Sequence, residues 1–393
     1  MDSALRRAEK YSIIQMKPKN RKEDTTMKKL LTLVLALALM MSAFAFAETN
    51  ASVTGKVTEI EKYGHALLDV TIEDFTSLGF TLGDVVTVKA GTFEGDMPYF
   101  NGYYVNKGEY MVRAYPGHTN IAVCINYGKF AETAGIGIGD EVTITLKVKG
   151  GELFTQEMSS LVYTNEPADY KDEATFANFR EVKVTGIAAG KLFRSASPIN
   201  NENNRAAITN KLVEAAGIKA VMNMADTAEE IAEYAAAEDF ASEYYKKLYD
   251  EGNVIVLAMP VNFASAEFAS GIVNGLTFLS QKEAPYLVHC TEGKDRAGFA
   301  SMLIEALMGA TMDEIIADYM MSYENYYGVD AAEETEKYNM IVEKNAIEML
   351  KVIAGVEDAA ALETADLAQG AWNYLLNNGM AQEAINALKA NLK

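Results

Sequence analysis

His289-Cys290-Thr291-Glu292-Gly293-Lys294-Asp295-Arg296 sets a thiol and a guanidinium on either side of five residues, a spacing that can build a complete phosphate-handling loop. Pro285-Tyr286-Leu287-Val288 ahead of it reads as a short buried strand, and the apolar run Ala297–Leu307 behind it reads as a helix. A strand-to-helix turn aims unpaired backbone N–H groups and the positive end of the helix dipole at one point, where a phosphate dianion fits. The same field favours thiolate over thiol at Cys290, which makes it the candidate nucleophile. Arg296 offers a planar fork for two phosphate oxygens. Gly293 lets the loop curl without a side chain in the way of the anion, and Thr291, Glu292, Gly293 and Lys294 supply the remaining amides. His289, at the strand end, is expected to brace the loop through orientation rather than titration.

At these residues the chain resembles the cysteine-dependent phosphatases that share an HCxxGxxR signature. Within them it is most similar to the bacterial tyrosine-protein phosphatases whose loop reads HCxxGKDRTG. Leu192-Phe193-Arg194-Ser195-Ala196-Ser197-Pro198 is similar to the entry segment of that family, and Arg194 within it is assigned a supporting role. Trp372–Met380, followed by Ala387-Leu388-Lys389, is similar to its closing helix pair. The resemblance covers residues 172 to 393 and implies attack by Cys290 on phosphorus through a cysteinyl-phosphate, with no cofactor. Where the family usually places Thr or Ser after the arginine this chain has Ala297, so Ser301, one turn on, replaces that hydroxyl only if it points back towards the sulfur.

A leaving alcohol needs a proton, and a general acid is worth roughly 10²–10⁴ in rate. The tyrosine phosphatases take it from an aspartate on a loop after an earlier strand. Here that strand is Val254–Met259, and Pro260-Val261-Asn262-Phe263-Ala264-Ser265 after it contains no acid. Asp295 is therefore the first candidate, because inositol-lipid phosphatases of the myotubularin and Sac types carry an aspartate at the same loop position. Asp226 is the second, and its competing reading is a helix N-cap completed by Glu229. Lys294 suits a second phosphate on an inositol headgroup, or else is a solvent-exposed partner of Glu292.

The surroundings bound these readings. The chain has 393 residues, 49% apolar and 23% charged, enough for two cores. Its net charge of -20, from 55 acidic against 35 basic residues, disfavours nucleic acids and anionic membrane surfaces as partners. Met27-Lys28-Lys29, the apolar run Leu30–Met41 and Ala45-Phe46-Ala47 read as a secretory signal peptide over residues 27–47, too short for a stable membrane span. Arg21-Lys22-Glu23-Asp24 can be encoded by a purine-rich ribosome-binding run, so translation is expected to start at Met27. Residues 1–26 would then be a mis-assigned, disordered start. Two cysteines, Cys124 and Cys290, exclude a disulfide framework, and His65 and His118 lack ligand spacing, so no metal is expected.

Between residues 48 and 164 the pattern is that of strands. Ser52–Val57, Leu67–Ile72, Asp84–Val88, Thr119–Asn126 and Glu141–Leu146 are rich in β-branched residues, and turn signals bound them; they predict an antiparallel sheet curled into a small barrel or sandwich. Leu82-Gly83-Asp84 and Ile138-Gly139-Asp140 suggest the same turn chemistry used twice. This half weakly resembles the C-terminal β domain of the S-adenosylmethionine hydroxide adenosyltransferases, without catalytic residues to carry across. Residues 165–174 read as a polar linker. From 175 to 393, strands near 182–186, 192–194, 218–222 and 254–258 alternate with helices near 203–216, 227–249 and 266–281, an α/β domain with a central sheet flanked by helices. Tyr319, Tyr323, Tyr326 and Tyr327 fall at helical spacing, as core or as pocket wall. The expected function is an exported cysteine phosphatase acting on phosphotyrosine protein. Inositol phosphates or phosphoinositides are the alternative substrates, and a weakly active binder of phosphorylated ligands is a further reading.

Overall fold

The computed structural model describes residues 51–393, which divide between Gln156 and Glu157 into two compact units. The leader expected over residues 27–47 and the stretch before it lie outside the described residues.

The first unit is a closed barrel of seven strands: β1 (Ser52–Ile60), β2 (Ala66–Thr71), β3 (Val85–Ala90), β4 (Phe93–Phe100), β5 (Tyr110–Arg113), β6 (Asn120–Ile125) and β7 (Glu141–Val148). They run around it in the order β1-β2-β6-β5-β4-β3-β7. Alternation sends Val57, Leu68, Val86, Val88, Val142 and Ile144 inwards, where they are fully or almost fully buried. The antiparallel expectation needs one correction: β4 pairs with β5 in parallel. Ile72 also leaves the strand predicted through it, because Thr71 Oγ1 accepts the Asp74 N–H at 2.9 Å and starts the helix Ile72–Ser77, with Glu73 and Asp74 in its first turn. The two Gly-Asp phrases do share turn chemistry. Gly83 and Gly139 have φ of 86° and 93°, and Asp84 and Asp140 each accept the N–H three residues back, from Thr81 and Gly137, at 2.8 Å.

The second unit holds a five-stranded sheet in the order β11-β10-β12-β9-β8, from β8 (Arg180–Glu181), β9 (Leu192–Ser195), β10 (Ala220–Asn223), β11 (Val254–Val256) and β12 (Tyr286–His289). All neighbours are parallel except β8 against β9. The helix Arg296–Met308 follows β12, and every residue from Ala297 to Met308 is buried, as a helix apolar on all sides demands. Around it pack helices that include Met312–Tyr327 and Leu367–Asn377.

Three expectations for this unit are corrected. Residues 165–174 are no free linker: Arg205 ties them down by donating to Thr164 O, Asn165 Oδ1 and Tyr170 Oη at 2.6–2.9 Å. The helix expected over 227–249 is two, Ala228–Ala235 and Glu243–Asp250. The strand expected near 182–186 does not form; the two-residue β8, Arg180–Glu181, lies just before it.

Candidate active site

β12 lies between β10 and β9, and in register Asn223, His289 and Ser195 form one row at the carboxyl ends of three parallel strands. The next residue, Cys290, sits where such sheets bind ligands and is 3% exposed. The loop then turns through Gly293, whose φ is 70°; a Cβ there would fall onto the Ser195 carbonyl, so only glycine fits.

The peptides of this loop all face one way because their carbonyls are tied back. Thr291 O accepts from the Ser197 N–H at 3.0 Å, and Glu292 O from Asn178 Nδ2 at 3.1 Å and Tyr326 Oη at 2.7 Å. Arg194 takes the next two, donating from Nη2 to Gly293 O at 2.8 Å and to Lys294 O at 3.2 Å. In a trans peptide the N–H points opposite to the C=O. The amides of Glu292, Gly293, Lys294 and Asp295 therefore turn to the other side, and none donates to a protein acceptor among the described residues. A convergent set of free amides at the start of a helix is an anion nest.

Arg296 is pre-set beside this nest. Its Nη1 donates to the carbonyls of Met224 and Met259 at 3.1 and 3.0 Å, beyond the ends of β10 and β11, and Nη2 to Thr291 Oγ1 at 3.2 Å. Nε has no partner among the described residues, which leaves the Nε–Nη2 edge for two oxygens of one phosphate. Ala258, with a left-handed φ of 44°, bends the chain before Met259 delivers its carbonyl. His289 is fully buried, and burial, reinforced by Arg296 and opposed by its hydrogen bond, pushes the imidazole down to about 3. It is neutral, and Nδ1–H donates to its neighbour Cys290 O at 3.4 Å.

Burial moves both candidate acids upward from the ordinary carboxylate value. Burial pushes the Asp295 carboxyl up, with Glu292 adding to that and Lys294, Arg296 and Arg194 opposing it. Burial also raises Asp226, against the hydrogen bond from Asn223 Nδ2 at 2.9 Å. The helix-cap reading of Asp226 is corrected: Thr227 caps the helix, and Glu230 rather than Glu229 closes the capping box. Ala297 and Ser301 are both buried, and Ser301 Oγ has no hydrogen-bond partner among the described residues, so it does not reach the sulfur of Cys290.

Lys294 is not solvent-exposed. Its Nζ pairs with Glu292 Oε2 at 3.0 Å, donates to Tyr327 Oη at 3.0 Å and lies 5.5 and 5.2 Å from the ring centres of Tyr323 and Tyr327. Of the predicted tyrosine stripe, Tyr323, Tyr326 and Tyr327 touch the loop residues in this way. Tyr319 instead packs against Gly298, where a Cβ would meet its ring at 2.8 Å.

Sequence reading missed what stands behind the loop. Arg194 Nη1 donates to Asp318 Oδ2 at 2.6 Å, and Arg180 Nε to Asp318 Oδ1 at 2.9 Å. Although burial alone would raise it, the two arginines hold the Asp318 carboxyl down. Glu305, fully buried beside them, is pushed well up by burial and by Asp318. The one available signal was an acid at position 305 inside an otherwise apolar helix.

Comparison with known proteins agrees with the loop. The profile of the Tyrosine phosphatase family matches residues 174–393. A relative from Cupriavidus necator, provisionally named a tyrosine-protein phosphatase, is 53% identical over 36 residues, 9% of this chain and 13% of that protein. The chain thus spans well under two thirds of that relative's length. Among solved structures, an uncharacterized conserved protein from Thermotoga maritima is 24% identical with a TM-score of 0.23, covering 24% of this chain and 36% of that one. The core catalytic domain of the PP-IP phosphatase SIW14 from S. cerevisiae, in complex with citrate, is 16% identical with a TM-score of 0.25, covering 46% and 92%. At these TM-scores neither structure carries weight. The family profile does, since it takes in more than half of the chain and the whole loop from Cys290 to Arg296: the chain belongs to the tyrosine phosphatase family, a family of phosphoric monoester hydrolases.

Proposed function

We propose that the protein is a cysteine-dependent phosphatase acting on phosphotyrosine in proteins, and, from the leader-like residues 27–47, that it works outside the cytoplasm. The observation that carries the reading is the loop whose carbonyls are tied back, so that its amides and the Nε edge of Arg296 converge beside Cys290. Cys290 Sγ bonds to phosphorus while the bond to the tyrosyl oxygen breaks, and Asp295 gives that oxygen its proton. Water, giving a proton back to Asp295, then cleaves the sulfur–phosphorus bond and releases hydrogen phosphate and the thiolate. Asp295 ranks ahead of Asp226 because it lies in the loop itself and its carboxyl has no hydrogen-bond partner among the described residues, whereas Asp226 is held by Asn223.

A monophosphate suits this site better than an inositol polyphosphate. Lys294, the charge a second phosphate would need, is already neutralised by Glu292 and lodged against two tyrosines. Cys290→Ser should reduce turnover of phosphotyrosine peptide and of p-nitrophenyl phosphate by at least about 10³-fold with the fold intact. Activity retained above a few per cent overturns the cysteinyl-phosphate route. Faster turnover of inositol phosphates than of phosphopeptides in the wild type overturns the substrate assignment. No turnover of any phosphate ester makes the protein a binder, as the missing hydroxyl at Ala297 would allow.

A further inference from the structure

The family match begins at residue 174, yet a side chain from before that point reaches into the phosphate loop. Tyr163 Oη donates to Glu292 Oε1 at 2.6 Å, and its ring centre lies 5.0 and 5.7 Å from those of Tyr326 and Tyr327. Arg205 Cζ lies 5.0 Å from the same ring, and Arg205 also anchors Thr164 and Asn165, the two residues that follow Tyr163. The position of Tyr163 is thus fixed by packing, not only by the hydrogen bond it makes.

Glu292 needs such a partner. Burial pushes its carboxyl up, but Lys294, the Tyr163 hydroxyl and Arg205 hold it below the usual range, so it is ionised at neutral pH. A carboxylate on the loop that binds a phosphate dianion is repulsive unless it is turned away and compensated. The Glu292 backbone is pinned by Asn178 and Tyr326, which leaves side-chain torsions as its only freedom. Tyr163 takes one carboxylate oxygen and Lys294 the other, and between them they fix those torsions.

We propose that Tyr163 is a positioning residue of the active site: by holding the Glu292 carboxylate away from the amide nest it sets the affinity of the loop for phosphate. Through this contact the segment ahead of the family-matched residues completes the site. The role rests on the phosphatase reading only for where phosphate binds, so the test measures binding rather than turnover.

Inorganic phosphate is titrated by calorimetry into full-length Cys290→Ser protein and into the same protein carrying Tyr163→Phe, Glu292→Gln or both. Tyr163→Phe keeps the ring and removes only the hydroxyl, and it should weaken phosphate binding about five- to twenty-fold, the range of one partly buried hydrogen bond to a charge. Adding Glu292→Gln should restore binding to within about two-fold of the Tyr163 protein, because the charge that Tyr163 restrains is then gone. In the active protein the same change should raise KM and leave kcat nearly constant. Unchanged phosphate affinity in Tyr163→Phe overturns the proposal, as does a loss that Glu292→Gln does not rescue, which would make the hydroxyl merely structural. Phosphate that fails to bind any of the four proteins overturns both this role and the phosphatase reading. Turnover surviving in Cys290→Ser overturns the nucleophile alone.

Discussion

Each unit buries an arginine against a carboxylate, and the two differ in where the remaining donors go. In the barrel, Arg113 donates from Nη2 to Glu61 Oε1 at 2.9 Å and from Nη1 to Tyr103 Oη at 3.0 Å, while Glu61 and Tyr103 both reach His65 Nδ1 at 3.2 Å. Among the described residues, every side-chain hydrogen bond of that network ends on another side chain of the network. In the phosphatase unit, Arg194 has a carboxylate partner in Asp318, but its other nitrogen holds two backbone carbonyls of the catalytic loop. Both arginines are nearly or fully buried, and both leave Nε without a partner among the described residues. Burial and ion pairing therefore do not distinguish a structural arginine from a functional one. The atoms at the far end of its donors do.

The largest expected effect separates the two arginines. Arg194→Met should lower kcat/KM by about 10²–10³-fold, the loss typical of a missing donor to an anion, because two loop carbonyls lose their tether. Arg113→Met should leave kcat/KM unchanged while costing about 1–3 kcal/mol of stability in urea denaturation, as Glu61 loses its charge partner. Equal loss of activity in both would erase the distinction.

Next come the carboxyls. Burial raises Asp295, whereas Arg113 and His65 hold Glu61 down against burial. Asp295→Asn should slow alkyl phosphates by about 10²-fold and activated aryl phosphates much less, since only poor leaving groups need the proton. Glu61→Gln should slow neither. If both phosphate classes slow equally in Asp295→Asn, the residue serves the loop's shape and Asp226→Asn becomes the decisive variant.

Acid should test the histidines. His289 is held down to about 3 and His65 is also lowered, in both cases first by burial. A folded-state value below the unfolded one gives stability that is complete above about pH 6.5 and is lost as pH falls towards the folded value. For His289 that window runs from about 6.5 down to about 3 and amounts to about 2 kcal/mol or more by pH 4. The single tryptophan, Trp372, lies in the phosphatase unit, so its fluorescence should report a midpoint that drops on acidification. His65→Gln should leave that drop intact, and a His65→Gln protein with a flat profile would assign the acid response to the barrel instead.

The smallest effect is expected at Glu305. Because burial and Asp318 favour its neutral form, Glu305→Gln should change stability by less than about 1 kcal/mol, despite complete burial. Glu61→Gln, which removes an ionised partner of Arg113, should cost more. The reverse order would show Glu305 to be charged.

Much of the catalytic loop was legible because its parts are neighbours in sequence. Cys290, Gly293 and Arg296 lie within one turn between a strand and a helix, and local patterns reveal such turns. The barrel was legible through alternation at Val86 and Val88 or Val142 and Ile144. Arg180, Asp318 and Tyr163 were not legible, since they act across 138 residues from Arg180 to Asp318 and 129 from Tyr163 to Glu292, and no periodicity encodes such a pairing. The break in the helix expected over 227–249 was hidden for another reason. Ala235 to Ser242 contains neither Gly nor Pro, and two short amphipathic helices in series look like one long one. At Asp226 the capping pattern was shifted by a single residue, within the usual uncertainty of helix ends.

The helix behind the catalytic loop is enclosed on every side, from Ala297 to Met308, and this governs how the enzyme can fail. A segment with no solvent-facing turn cannot fray by itself; its amides exchange with solvent only when the helices around it separate. Arg296 is the first residue of that helix and Cys290 directly follows the buried strand Tyr286–His289, so both ends of the loop are tied to buried elements. Deuterium uptake over residues 297–308 should follow global unfolding, and thermal loss of activity should coincide with it rather than precede it. Activity lost while residues 297–308 stay protected would show that the loop opens ahead of the unit.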